Sequence, residues 1–305
     1  MRIPGMWRIK NKWTDLEMYF LSKKMHLNQE DNILIFTEPR SGSTWLAEIL
    51  HEITKKPILW EPLHLEKGKI FSDLGFSWRQ HIPENAEWPE AHQTFTDLFT
   101  GNILNNWITI QTNAESLKNA DSAIIKFVRA NALLPWLLQN FKFKYKPIYL
   151  IRNPFAVVSS QIQKGWNYNV DKLYDTKLKY NDYWFRNLDY LKSLKTNEEG
   201  LMAFWCLSNK PALESEIRDV EFVTICYEDL VMNPQITLAK LLNDLNLQFD
   251  LSSIDFEKPS FTVAQGSPLK GKAQTDIWKL NLTKAQISKM EAVLIYFGII
   301  EYDCR

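Results

Sequence analysis

The sequence predicts an α/β protein: a single doubly wound domain whose central parallel sheet is flanked by helices and carries a P-loop-like, phosphate-binding turn. Three observations carry this prediction. Residues 32–37, 122–127, 147–151 and 221–226 are short, nearly continuous apolar runs, the pattern of strands buried on both faces of a parallel sheet. The segments between them show helical apolar spacing with recognisable start signals. No internal repeat, low-complexity tract or Gly/Ser-rich linker divides the 305 residues, so the strands share one sheet and the whole chain, 1–305, reads as one domain.

After the first run, Leu46, Ile49, Leu50 and Ile53 recur at helical spacing. Asn153-Pro154 and Asn233-Pro234 each set a capping Asn before a Pro suited to the first helical position. Near the end, Thr283 and Gln286 form a capping-box pattern. Ile287, Met290, Leu294 and Phe297 follow on one face, with Gly298 as a stop. Two stretches depart from the βα rhythm: about 66–111, rich in Trp, His and Pro, and about 164–181, rich in Tyr, Asn and Lys. They are expected to be acceptor-binding or lid insertions.

Composition excludes several classes. Lys+Arg 36 against Asp+Glu 36 leaves no protein-wide field for nucleic acid or an anionic membrane, so any anion must be held locally. No apolar run approaches the roughly 18 residues of a membrane span. The first 13 residues mix Arg2, Arg8, Lys10 and Lys12 with isolated apolar residues; without the apolar stretch of a secretory signal, the expected location is cytoplasmic. Cys206, Cys226 and Cys304 are widely spaced and odd in number, which suits buried or incidental thiols better than a disulfide framework or a zinc site. No metal is expected.

The strongest chemical signal is the turn running from Thr37 through Glu38, Pro39, Arg40, Ser41, Gly42, Ser43 and Thr44 to Trp45. A strand running into a Gly-containing turn that opens a helix presents backbone N–H groups and the positive end of the helix dipole to an anion. Ser43 and Thr44 add hydroxyls and Arg40 a delocalised charge. A kinase or nucleotide hydrolase is the rival reading, but the G-x-x-x-x-G-K-[ST] pattern is absent, which disfavours a triphosphate with magnesium. Arg152 ends a predicted strand at the edge where open α/β sheets bind ligands. Asn153-Pro154 starts a helix there, and Ser160 lies about two turns along it, so a second anion site is expected.

Here the chain resembles the sulfotransferases that use 3′-phosphoadenosine 5′-phosphosulfate (PAPS), in particular the bacterial small-molecule type associated with secondary metabolism. Pro39 to Thr44 match their 5′-phosphosulfate turn, with Trp45 a frequent variant. Arg152, Asn153, Pro154 and Ser160 match their 3′-phosphate motif. Tyr227-Glu228-Asp229-Leu230 followed by Asn233-Pro234 matches a segment whose Tyr lies near the adenine. Lys270, Gly271 and Lys272, with Trp278 beyond, resemble the C-terminal loop that closes over the nucleotide. The resemblance implies a transfer of sulfuryl from PAPS to a hydroxyl or amine of a small molecule, releasing 3′-phosphoadenosine 5′-phosphate (PAP). A nucleotide-binding protein without catalysis is the third reading.

Such a transfer rests on positioning and electrostatics. Arg40, where many members have Lys, is the expected cation for the leaving phosphate; the change keeps the charge but makes the donor a planar fork. In the branch acting on phenols and steroids, a Lys-x-His segment supplies a catalytic His, but here Lys126 is followed by Phe127 and Val128, so the base must come from elsewhere. Glu61-Pro62 resembles the acidic base of bacterial and carbohydrate-acting members, and His64 stands three residues on. Lys126 either touches the sulfuryl oxygens or caps a strand end. Trp60, Trp78, Trp88, Trp107, Trp166 and Trp184 are candidates to line a pocket for flat or cationic acceptors.

Overall fold

The computed structural model describes residues 16–17, 19–23, 25–112, 114–170, 179–180, 182–258, 260 and 272–299. Five parallel strands, β1 (Ile33–Thr37), β2 (Ile58–Trp60), β3 (Ile124–Val128), β4 (Ile148–Ile151) and β5 (Val223–Cys226), form one sheet in the order β2-β3-β1-β4-β5. The four predicted strands are present. The fifth, β2, is only three residues long and escaped the sequence reading.

The continuous apolar runs follow from burial on both faces. Ile33 and Ile35 enter one core with Ile124, Ile148 and Leu150, while Leu34 and Phe36 enter the other with Ile125, Phe127 and Tyr149, the two-residue alternation of a strand. Helices α1 (Ser43–Thr54) and α5 (Pro234–Asp244) cover the first face. Helices α2 (Pro89–Phe99), α3 (Pro154–Gln163), α4 (Asn197–Leu213) and α6 (Lys284–Tyr296) contribute to the second core. The predicted start signals operate: the Asn153 carboxamide oxygen accepts from Ala156 N with Pro154 in the first turn, and Thr283 and Gln286 close a capping box. Asn233 caps α5 by position alone, without a side-chain hydrogen bond.

Strand order positions the site. From β1 the chain runs to β2 at one edge, returns through β3 beside β1, and then crosses to β4 and β5 on the other side, so the crevice beyond the carboxyl ends of the strands lies at the topological switch point where open α/β sheets bind ligands. The residues just past those ends include Arg40, Glu61, Arg129 and Arg152. Three of them hold left-handed backbone: Arg40 at φ 75°, Glu61 at φ 38° and Arg129 at φ 70°. Such conformations in non-glycine residues cost energy and persist where surrounding structure imposes them, often at functional sites.

Cys206 is buried and free, and burial pushes its thiol up beyond the usual range. Cys226 is disulfide-bonded, which corrects the expectation of thiols alone; sequence spacing does not report proximity across a fold. Cys304 lies outside the described residues. Among the described residues, no helix is long and apolar enough to cross a membrane, and no group of three or more His, Cys, Asp or Glu side chains could hold a metal.

Candidate active site

The turn after β1 has the backbone and side chains that an anion site needs. Gly42, at φ 87°, precedes α1, whose first turn receives no side-chain cap, so its outward N–H groups are available to a ligand. Ser41, Ser43 and Thr44 are buried, and the Ser41 hydroxyl lacks a partner. Trp45 is half-buried and packs against the core on the α1 side of the sheet. A Cβ on Gly42 would enter the ring of Tyr227. Glycine is therefore needed twice here, for its backbone angle and for this approach. We expect Gly42→Ala to lower unfolding free energy by roughly 1–3 kcal/mol, measured by calorimetry.

The motifs separated in sequence converge. Arg152 donates through Nη1 to the Arg40 carbonyl at 2.6 Å, and Arg40 Nε donates to the Ser160 hydroxyl at 3.1 Å. The Arg152 guanidinium lies 4.4 Å from the Tyr227 ring centroid, and its buried Nε is unpartnered. Burial, and then the neighbouring Arg152, lower the pKa of Arg40; two guanidinium groups this close are better accommodated with an anion between them. Glu228 accepts from Asn153 N at 3.0 Å, joining the Tyr227 segment to the start of α3, and burial pushes its carboxyl up. The Tyr227 hydroxyl accepts from Gln274.

Lys126 pairs in register with Trp60 of β2 and Ile35 of β1, so it points to the α1 face. Its ammonium lies 3.0 Å from Glu61 Oε1, 3.4 Å from the Thr44 hydroxyl and 3.1 Å from the Trp60 ring centroid. It is 1% exposed. Desolvation lowers its pKa from 10.5 to about 8, with Glu61 opposing the shift. The second Glu61 oxygen is 3.7 Å from Arg129 Nη1. His64 donates its backbone N–H to the Glu61 carbonyl at 3.1 Å, and its ring lies edge-on to Trp78 and Trp107. Its buried Nδ1 is unpartnered, and burial followed by the Arg129 charge lowers its pKa.

Two features differ from the sequence expectation. The Arg40 guanidinium faces Ser160 and α3, while the cation beside Thr44 of the phosphate turn is Lys126. Of the tryptophans, Trp88 and Trp184 are core at 3% and 2% exposure, Trp107 donates to the Glu61 carbonyl at 3.0 Å, and Trp60 lies under Lys126. Trp78 and Trp166 flank Arg129. Lys270 and Gly271 lie outside the described residues, and Lys272 begins the short helix Lys272–Asp276. Sequence reasoning missed Arg129, whose only signal was its place two residues past the second apolar run. It also missed Glu38, buried at 2% exposure and bridged to Arg79 at 2.9 Å, which ties the 66–111 insertion to the phosphate turn.

A parallel sheet with a glycine-cornered anion turn at its switch point defines a P-loop-like α/β protein. The chain belongs to the sulfotransferase family: the family's model, described as a sulfotransferase domain, matches residues 30–294, and the family reaction is sulfuryl transfer. No curated protein sequence matches. Similar solved structures include the sulfotransferase domain from the curacin biosynthetic pathway, 17% identical, covering 88% of this chain and 98% of that one with TM-score 0.48. The sulfotransferase domain from the Synechococcus PCC 7002 olefin synthase is 20% identical over 91% and 97%, with TM-score 0.45. Mouse sulfotransferase SULT7A1 complexed with PAP is 15% identical over 93% and 90%, with TM-score 0.43.

Proposed function

We propose that this chain transfers the sulfuryl group of PAPS to a hydroxyl or amine of a small-molecule acceptor. The observation that carries the reading is the convergence of Arg40, Arg152 and Ser160 beside the turn that contains Ser41 and Gly42. The unpartnered buried Ser41 hydroxyl and Arg152 Nε, together with the space a Cβ on Gly42 would fill, fit phosphate groups there. Ser41, Gly42, Ser43, Thr44 and Trp45 hold the 5′ end, and Arg40, Arg152 and Ser160 the 3′-phosphate. Tyr227 stands at the adenine.

Lys126 supplies positive charge beside Thr44, where charge develops on the leaving phosphate oxygen. Buried, it acts in a medium that strengthens electrostatics. Glu61 takes the acceptor's proton. Each of its oxygens has a cation on one side, so the acceptor must use a remaining lone pair. His64, with an unpartnered Nδ1 and a pKa lowered by burial and by the Arg129 charge, is the alternative base.

The test is donor selectivity. PAP should raise the melting temperature in proportion to RT ln(1+[L]/Kd), and ATP should do so far less. Arg152→Ala should weaken PAP binding by roughly 1.5–3 kcal/mol, the loss expected for a charge-assisted contact, with saturated turnover less affected because the 3′ end is remote from the reacting group. Equal stabilisation by ATP would defeat the reading, and an unchanged PAP affinity in Arg152→Ala would remove Arg152 from the site.

A further inference from the structure

We propose that Arg129 anchors a carboxylate or comparable oxyanion on the acceptor, so that the chain acts on hydroxylated or aminated acids. The inference rests on the sulfotransferase reading and specifies its acceptor.

Three cations and two carboxylates from β1, β2, β3 and the 66–111 insertion meet at the sheet edge. Arg79 is bridged to Glu38 at 2.9 Å and Lys126 to Glu61 at 3.0 Å. Among the described residues, Arg129 is left with Glu61 Oε2 at 3.7 Å, and its buried Nη1 makes no hydrogen bond. The other groups acting on it are Arg79, which repels, Glu38, already bridged, and Glu66, which is exposed; His64 feels the same guanidinium. Burial of a cation without a hydrogen-bonded anion is unfavourable, and its side chain is 12% exposed. An oxyanion would complete the cluster.

Geometry gives the direction. Arg129 is held at φ 70° with its N–H donated to the Thr37 carbonyl. The guanidinium carbon lies 5.0 Å from the Trp78 ring and 5.4 Å from the Trp166 ring. These walls come from the two insertions and not from the phosphate turn, which places Arg129 on the acceptor side, beside the candidate base. A planar guanidinium takes a carboxylate by two parallel bonds through its N–H edge. Both tryptophans already face a cation, so the expectation of flat or cationic acceptors narrows to flat and anionic ones.

The other source of an oxyanion is the sulfuryl group itself, and the experiment separates the two. Tryptophan fluorescence titrations, on protein with and without saturating PAP, would compare 4-hydroxybenzoate, 4-hydroxyphenylacetate and 4-aminobenzoate with their methyl esters. At least one acid should bind roughly 10- to 100-fold more tightly than its ester, the range for a charge-assisted pair. Arg129→Gln should bring that ratio close to one, and Arg129→Lys, with charge but no fork, should restore part of it. A PAP-induced melting shift in each variant reports that the fold and donor site survive; should Arg129→Gln fail to fold, a wild-type ratio in Arg129→Lys overturns the proposal. So does a wild-type protein that prefers no acid over its ester, or a ratio unchanged in Arg129→Gln. Equal loss of turnover for acid and ester in that variant would assign the guanidinium to the sulfuryl group instead. Absence of any PAP effect on wild type counts against the PAPS reading alone, because the acid-to-ester ratio without PAP still reads Arg129.

Discussion

Glu61→Gln is expected to lower kcat by roughly 10²–10⁴-fold, the contribution of a positioned general base, while PAP affinity stays near wild type. The substitution keeps the shape of the side chain and its reach to Lys126, but the amide cannot take a proton. The structure makes the test specific, because Glu61 follows β2 immediately and its backbone at φ 38° is fixed by bonds from Glu61 N to the Lys126 carbonyl and from His64 N to its own carbonyl. His64→Ala should be milder, removing an edge-on ring from between Trp78 and Trp107. Steady-state kinetics under saturating PAPS decide the matter. Full activity in Glu61→Gln with collapse in His64→Ala would move the base to His64. Retention of activity in both would place the base outside this cluster.

The second large effect is expected at Lys126. Lys126→Ala removes the 3.0 Å partner of a half-buried carboxylate and the cation beside Thr44. Destabilisation of about 3 kcal/mol is expected, the low end for breaking a buried pair because Glu61 keeps some solvent contact and Arg129 remains. The kcat should fall by roughly 10²–10³-fold, as for loss of one transition-state donor. The double variant Lys126→Ala/Glu61→Gln should be more stable than the sum of the single losses predicts, since both partners are gone. Chemical denaturation of the four proteins gives the coupling directly.

The Lys126 pKa also sets the direction of pH effects. With a folded value of about 8 against 10.5 unfolded, the unfolded chain binds more protons than the folded one between those values. Burying the ammonium is therefore a full cost below pH 8 that is relieved as pH rises toward 10.5. The stability of wild type relative to Lys126→Met should increase across that window. Activity should move the other way: if the ammonium stabilises the leaving oxygen, kcat/KM, which reports the free enzyme, falls as pH passes about 8. Lys126→Arg, whose guanidinium does not titrate there, should shift that limb upward. A pH–rate profile with no limb near 8, or one unmoved in Lys126→Arg, would remove the charge from the mechanism.

The amino-acid sequence alone determined what depends on neighbouring residues. Strands buried on two faces must be continuously apolar, so β1, β3, β4 and β5 were legible. An anion turn is made of consecutive residues, Pro39 to Thr44, and the Asn153 and Thr283 caps act within three residues. The tertiary structure decided the rest. Strand β2 has three residues, too few for a periodic signal, yet its pairing with β3 sets Trp60 and Glu61 beside Lys126. That register, which no spacing between residues 61 and 126 encodes, turned a lysine read as either ligand contact or strand cap into the ion-pair partner of the candidate base. Arg129 was invisible for the same reason, since its tryptophan walls lie 51 residues before it and 37 after it in the chain. Side-chain chemistry is written locally, but which charges are left unpaired depends on how distant segments pack, and only the folded chain shows that.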